Sequence, residues 1–375
     1  MQLSSKSNIE GIVEESYLLR EDGFTVHEFA VNEKIGKVAV LRRLDKKGTQ
    51  DVRGLSKIEF YTFVDMPRMF LDKEVYIQET LVESVATQDV RGLSKIEFYT
   101  FIDMPRMFLD KEVYIQETLV ESVAWIGQST LTCSCLDGSI IALSPFSTFK
   151  KRFQISATPF WCSTTYSKDE IAAGTDSGTI LMMKQNIIEK DEIAAGTDSG
   201  TILMMKQNII EKGNGQTSEE LVVSRKFEVG TDQRPMAIAA SKKMEKIAVG
   251  CLDKVFIIPV SATGGKVIPI QMPRENRRAT IAWCLAFLKH NLFIGDSRGN
   301  VNIYDSRNGA AVKIVPSHES AILALSTDDK CVYAAGVDYR IQVFGAVENE
   351  TDFKNIGQRM IHENDVKAMA VCNGW

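Results

Sequence analysis

From Trp125 onward, apolar and polar positions alternate in short runs, and the runs return in a fixed order. An apolar strand leads to a second strand ending in small residues, then to a turn on Asp or Asp-Gly, then to an apolar strand closing on an aromatic. The clearest statements are 281–287, 292–294, Asp296-Ser297-Arg298-Gly299 and 301–305, and again 322–325, 332–335, Asp338 and 341–344. Alternation of this kind marks half-buried strands, and Asp-Gly between two such runs, as at Asp137-Gly138, is hairpin chemistry. The turn aspartates Asp253, Asp296 and Asp338 are 43 and 42 residues apart, matching the roughly 40–45 residues of one WD-type blade. The pattern predicts an all-β chain folded as a WD-repeat β-propeller, an incomplete seven-bladed ring.

The same reading places early strands at 25–31 and 37–41, and at 96–101 and 111–115. Blade two is expected from 119–125, 131–135 and 140–143; blade three from 160–164, 171–174 and 180–183, with 221–229 as its outer strand. Blade four takes 235–240, 247–250, 255–258 and 267–270. The expected organisation is an N-terminal segment 1–24, in which 11–18 serves as a closing outer strand, then six blades over 25–346. The start of a truncated further blade follows at 347–375, opening at 366–371.

Two tandem duplications disturb this register. Residues 49–86 recur as 87–124 with one difference, Val64 against Ile102, and residues 168–189 recur as 190–211 with none. Blades elsewhere share only turn chemistry and hydrophobic rhythm, so copies this similar are recent duplications or a faulty gene model. A blade has a fixed number of places and an identical segment competes for the same one. The surplus copies are therefore expected to loop out or to pair irregularly.

Composition narrows the function classes. With 375 residues, 44% hydrophobic and 25% charged, the chain is an ordinary folded protein. Its longest apolar runs fall well below the roughly 18 residues of a membrane span, and the polar start lacks the apolar core of a signal peptide, so a cytosolic or nuclear location is expected. Seven scattered cysteines suit reduced thiols. A net charge of −5 leaves any nucleic-acid contact to local basic patches.

Few residues invite chemistry. His318 and His362 precede inner strands, and His318 is expected to bond the turn residue Asp338 as structural glue. Asp296 has the same structural role, and Tyr304-Asp305 stands where the Trp-Asp dipeptide would be. Cys133 and Cys135 share a strand face, with no second pair at zinc spacing. The glycine turns at 174–178 and 295–299 lack the strand-to-helix context of a phosphate loop, and no nucleophile-elbow pattern occurs. No catalytic residue, cofactor, metal, membrane or small-molecule substrate is expected. The candidate contacts to a partner or RNA are Arg274, Arg277 and Arg278 in the loop 273–278, with Lys150, Lys151 and Arg152 as a weaker cluster. A charge run is more often a solvated loop, but guanidinium groups suit phosphate and carboxylate partners.

The order of Pro159-Phe160-Trp161, the runs 171–178 and 247–250, and the basic residues before 281–287 resembles the cirhin family, WD-repeat proteins of the small-subunit processome. The runs 295–301 and 362–366 add to the likeness, which covers most of the chain from Thr25 on. The resemblance implies a non-enzymatic scaffold in the nucleus and nucleolus. It would work with other WD-repeat processome proteins and the box C/D small nucleolar ribonucleoprotein on pre-ribosomal RNA, in small ribosomal subunit biogenesis. That family is similar in having two tandem propellers, of which this chain would represent mostly the first, departing in its duplicated blocks and early end. The alternative is a WD-repeat adaptor of another assembly, a ubiquitin-ligase substrate receptor or a trafficking coat. Against the ligase type, no long amphipathic helix precedes Thr25. An enzyme comes third.

Overall fold

The computed structural model describes residues 24–44, 56–78, 93–115, 118–127, 129–148, 150–188, 192–196, 202–206, 218–230, 233–261, 265–274, 277–328, 330–346, 352–360 and 364–371. The expected strand at 11–18 and His362 lie outside the described residues.

Six four-stranded antiparallel sheets follow one another along the chain. The first holds β1 (Phe24–Asn32), β2 (Lys37–Leu44), β3 (Ser56–Gln78) and β4 (Leu93–Ile115). The second holds β5 (Val120–Ile126), β6 (Thr130–Cys135), β7 (Ser139–Leu143) and β8 (Lys150–Gln154). In the third, β9 (Phe160–Ser167), β10 (Glu170–Thr175) and β11 (Thr179–Ile188) are completed by β14 (Ser218–Glu228), while β12 (Glu192–Gly196) and β13 (Ile202–Lys206) form a separate two-stranded sheet. The fourth is β15 (Ala237–Ser241), β16 (Lys246–Gly250), β17 (Lys254–Pro259) and β18 (Ile268–Gln271). The fifth is β19 (Ala282–Leu288), β20 (Asn291–Asp296), β21 (Asn300–Asp305) and β22 (Ala311–Pro316). The sixth is β23 (Ile322–Thr327), β24 (Cys331–Gly336), β25 (Arg340–Ala346) and β26 (Phe353–Met360).

The first strand of each sheet packs on the first strand of the next: β1 on β5, β5 on β9, β9 on β15, β15 on β19 and β19 on β23. This is the radial stacking of propeller blades, and it explains why the middle strands are apolar on both faces. Ile140 and Ile141 of β7 are neighbours in sequence, yet Ile141 packs in the core between the first two sheets and Ile140 in the core between the second and third. Ala172 and Met182 face Ile247 and Ile258 between the third and fourth sheets, and Ala248 and Ile257 meet Leu285 and Ile294 between the fourth and fifth. Phe293 and Phe353 join the fifth and sixth, ring edge to ring face at 4.9 Å, the arrangement that aromatic quadrupoles favour. Past β26, Val366 donates its amide to the Gly336 carbonyl at 3.0 Å and packs on Ala335 and Ile341.

The two duplications are accommodated differently. In the second block, the first copy supplies the hairpin β10–β11 inside the third sheet and the second copy supplies β12–β13 outside it. Both hairpins have the same register, Glu170 opposite Lys184 and Glu192 opposite Lys206. This is looping out. In the first block, each copy contributes one long strand, the second copy also supplying the start of β5, and β3 and β4 pair with each other along their whole length, Met66 standing opposite Met104. Only Ser56–Thr62 of β3 also pairs with β2, so the remainder continues past the sheet as a two-stranded ribbon. The register shifts twice, at Asp72 in β3 and at Asp110 in β4, which are counterparts in the repeat.

Polar groups lock the first three sheets together. The Glu28 carboxyl group accepts the Val123 amide at 2.6 Å and lies 3.1 Å from the Ser122 hydroxyl, and Ser122 in turn bonds Ser163 at 3.0 Å. The Trp125 indole donates to the Ala30 carbonyl at 3.0 Å. Burial pushes the Glu28 carboxyl up to about 8, against the opposing pull of those bonds. Burial and the neighbouring Arg43 push the imidazole of His27 down to about 4. Five of the described cysteines, Cys133, Cys135, Cys162, Cys251 and Cys284, are buried and unpaired. Burial raises every one of these thiols, those of Cys135 and Cys251 to about 12.

Candidate partner-binding rim

Antiparallel order puts every turn between second and third strands at one end of the sheets, together with the connections from one sheet to the next. This upper rim carries Asp137, Asp176, Asp253, Asp296 and Asp338, and each is tied down. Asp296 is buried and accepts four bonds: from the amides of Arg298 (2.8 Å) and Asn300 (2.9 Å) and from the side chains of Asn300 (3.1 Å) and Asn302 (2.9 Å). Gly299 of this turn sits at φ 83°, where a Cβ would run into the His318 carbonyl. Its own carbonyl takes the amides of Ser317 and His318.

His318 Nδ1 lies 2.7 Å from Asp338 Oδ1, and the Glu319 amide reaches Asp338 Oδ2 at 3.0 Å. Burial works to raise the Asp338 carboxyl, but the bonds from His318 and from the Glu319 and Arg340 amides outweigh it and hold the group below its ordinary range. The His318 side chain is wholly enclosed. Asp305 is not on this rim. It sits at the opposite end, in the turn to β22, where the Arg307 side chain grips it through both oxygens and lowers its carboxyl.

The basic loop before β19 is braced from two sides. Arg274 donates to Asp253 at 2.9 Å through Nε and 2.6 Å through Nη2, while Asp253, at φ 60°, also accepts the Thr280 amide at 2.6 Å. Arg298 donates to the Arg278 carbonyl at 2.6 Å. Arg277 adopts φ 60°, and Arg277 and Arg278 are exposed between these anchors. Lys150, Lys151 and Arg152 are elsewhere, on the outermost strand β8 of the second sheet. Arg152 is paired with Asp137 at the rim, and Lys151 lies over the Phe153 ring at 4.9 Å. The structure therefore does not merge the two clusters into one patch.

Sequence reasoning missed a constellation at the third sheet. The Trp161 indole donates to Asp176 at 3.0 Å, Arg234 pairs with the same carboxylate, and the Arg234 guanidinium stacks over the Trp161 ring at 4.7 Å. The second copy of the duplicated block, 190–211, stands between Asp176 and Arg234 in the chain, so no local motif announces them. The recurring theme is visible only in space: Arg152 to Asp137, Arg234 to Asp176, Arg274 to Asp253 and Arg340 to Glu319 each fasten a guanidinium to an upper turn. Among the described residues, no group of three potential metal ligands gathers, and no helix is long and apolar enough to cross a membrane.

No protein-family model matches the sequence. Over 216 residues the chain is 23% identical to U3 small nucleolar RNA-associated protein 4 of Saccharomyces cerevisiae, an alignment covering 54% of this chain and 24% of that relative. The chain thus spans about a quarter of that relative's length. Among solved structures, a chain of the "Crystal Structure of Mitotic Checkpoint Complex" superposes with a TM-score of 0.57 at 13% identity, covering 94% of this chain and 84% of that one. The fold is the all-β WD-repeat propeller.

Proposed function

We propose that this chain is a non-enzymatic WD-repeat scaffold of the small-subunit processome. In this reading it is a relative of cirhin, acting in the nucleolus in pre-ribosomal RNA processing and small ribosomal subunit biogenesis. Its partners are other WD-repeat processome proteins, with the box C/D small nucleolar ribonucleoprotein and pre-ribosomal RNA. The described sheets form most of one seven-bladed ring, whose sixth blade runs past the expected boundary at 346 to take in β26 (Phe353–Met360), so that within 347–375 only the stretch after β26 is left to open the next.

The observation that carries the reading is the braced loop. Arg277 and Arg278 are held outward between two anchored neighbours, Arg274 on Asp253 and the Arg278 carbonyl on Arg298. Guanidinium groups fixed in this way offer paired donors to phosphate without first losing loop entropy. The partial likeness to a U3 small nucleolar RNA-associated protein supports the same partner class. Affinity purification of the tagged chain tests it: pre-ribosomal RNA and processome proteins copurify from wild type and are depleted from an R277E/R278E variant. Recovery of ligase or coat subunits instead overturns the assignment.

A further inference from the structure

The end of the sheets opposite the arginine loop carries the turns between first and second strands and between third and fourth. At this end a cleft of about 500 Å³ opens between the fourth and fifth sheets, a size usual for ligand sites. Its apolar lining is Ile257 and Pro259 of β17, then Val267, and Ile268 and Pro269 of β18. Register explains the convergence: Ile257 stands opposite Ile268 and Pro259 opposite Lys246, and directly opposed residues share one face of a sheet. The turn 305–309 of the fifth sheet closes the other side, so near that a Cβ on Gly309 would come within 2.7 Å of Ile268. Lys246, Lys266, Arg307 and Asn308 complete the lining, the last three of them exposed.

One cavity thus joins cationic groups to apolar surface. The three segments that frame it, 242–246, 265–269 and 305–309, carry Lys242, Lys243, Lys246, Lys266 and Arg307 against Glu245 and Asp305. Arg307 is already engaged by Asp305, which it grips through both oxygens. Lys246 donates to the Ser306 carbonyl at 2.9 Å, and an ammonium has three protons to give. The balance favours an acidic ligand. A bare phosphate would leave the apolar lining unmatched, and a nucleic-acid base would find no aromatic ring among the lining residues on which to stack. Strand addition is disfavoured as well, because β18 is the outermost strand of its sheet and Pro269 has no amide to donate from it. The match that remains is an aliphatic side chain in the cleft with carboxylates beside it. We propose that this cleft docks an acidic segment of a partner protein, which seats a branched aliphatic side chain against Ile257 and Ile268 and sets Asp or Glu carboxylates on Lys246 and Lys266. The site is separate from the arginine loop on the upper rim, and it rests on the fold rather than on the processome reading.

Fluorescence-polarisation titration of the full chain against short labelled peptides, each with Ile-Leu between runs of Asp and Glu, tests the proposal at about 0.15 M salt. Saturable one-to-one binding is expected. Affinity should fall at least about tenfold when Ser-Ser replaces Ile-Leu, because the transfer of the anchor out of water is lost. It should fall at least about tenfold in K246Q/K266E and less in K266E alone, while R277E/R278E binds as wild type does. Glutamine can still donate to the Ser306 carbonyl and Lys266 is exposed, so thermal unfolding should place both variants within about 4 °C of wild type. Absence of saturable binding overturns the proposal, as does undiminished affinity in K246Q/K266E or equal affinity for the Ser-Ser peptide. A short single-stranded RNA that displaces the peptide at equal charge also overturns it, by making the cleft a nucleic-acid site.

Discussion

Met66 of β3 stands directly opposite Met104 of β4, its own counterpart in the repeated block. The pairing is self-complementary about this point, and the bulges at Asp72 and Asp110 obey the same symmetry. The register that joins the two copies is thus the one each copy would adopt as a hairpin folded at Met66-Pro67 or Met104-Pro105. Residues 67–104 can be excised while the pairs from Val64 opposite Arg106 outward are kept, since Met66 then meets Pro105 as it now meets Pro67 and Asp65, Met66 and Pro105 form a three-residue turn. The shortened chain should keep its far-ultraviolet dichroism and shift its Tm by less than about 4 °C. Loss of a cooperative transition would mean that the ribbon contributes to the blade.

Asp338→Ala removes the acceptor for His318 and for the Glu319 amide in a closed environment. Unsatisfied buried donors cost about 1–3 kcal/mol each, so urea denaturation should show a loss of roughly 3 kcal/mol. The folded-state carboxyl of Asp338 is depressed. Its contribution is present above the unfolded value and is lost as pH falls through the folded one. The wild-type advantage over the alanine variant should therefore shrink on acidification below the ordinary carboxylate range. An advantage independent of pH would exclude ionised Asp338 as the anchor.

Glu28 and His27 set opposing pH slopes at the joint between the first two sheets. Between about 4.5 and about 8 the folded state holds a proton on Glu28 that the unfolded chain releases, so stability falls as pH rises. Between about 4 and 6.5 the unfolded chain protonates His27 and the folded state does not, so stability rises with pH. The two oppose each other where they overlap, and only the Glu28 decline remains from 6.5 to 8. Glu28→Gln should flatten that decline in a Tm-versus-pH series and leave the rise on the acidic side. A decline that persists in the variant would assign it to another group.

Arg274 and its neighbours should separate into brace and contact. Arg274→Ala breaks a pair whose arginine is exposed, worth about 0.2–1 kcal/mol, whereas R277E/R278E should leave stability unchanged within about 0.5 kcal/mol. Asp253→Asn keeps a residue that tolerates φ 60° but drops the charge holding Arg274. It should weaken partner recovery in pull-downs although every arginine is still present. Recovery equal to wild type would show that the loop needs no bracing.

The blade plan was legible because it repeats: Asp253, Asp296 and Asp338 fall at blade spacing, and the structure sets all three at the same end of successive sheets. The apolar runs at 171–174 and 247–250 likewise became central strands, since only a strand buried on both faces tolerates such continuity. Pairings across sheets were not legible. Arg234 finds Asp176 and Trp161, and Glu28 finds Val123, only after the chain has folded sheet on sheet, and local pattern holds no information on those meetings. The self-pairing of the first repeat was missed for a different reason. Identity alone suggests rivalry for one strand position, whereas an antiparallel register with a centre of symmetry lets identical segments be partners.

The closed thiols give the second to fifth sheets reporters of their own. Cys133 and Cys135 belong to the second sheet, Cys162 to the third, Cys251 follows the second strand of the fourth and Cys284 lies in the fifth. With their protons held so tightly, none is a nucleophile while its sheet stays shut. An alkylating reagent at neutral pH therefore records openings, and the order in which these positions acquire label traces the sequence in which the ring comes apart.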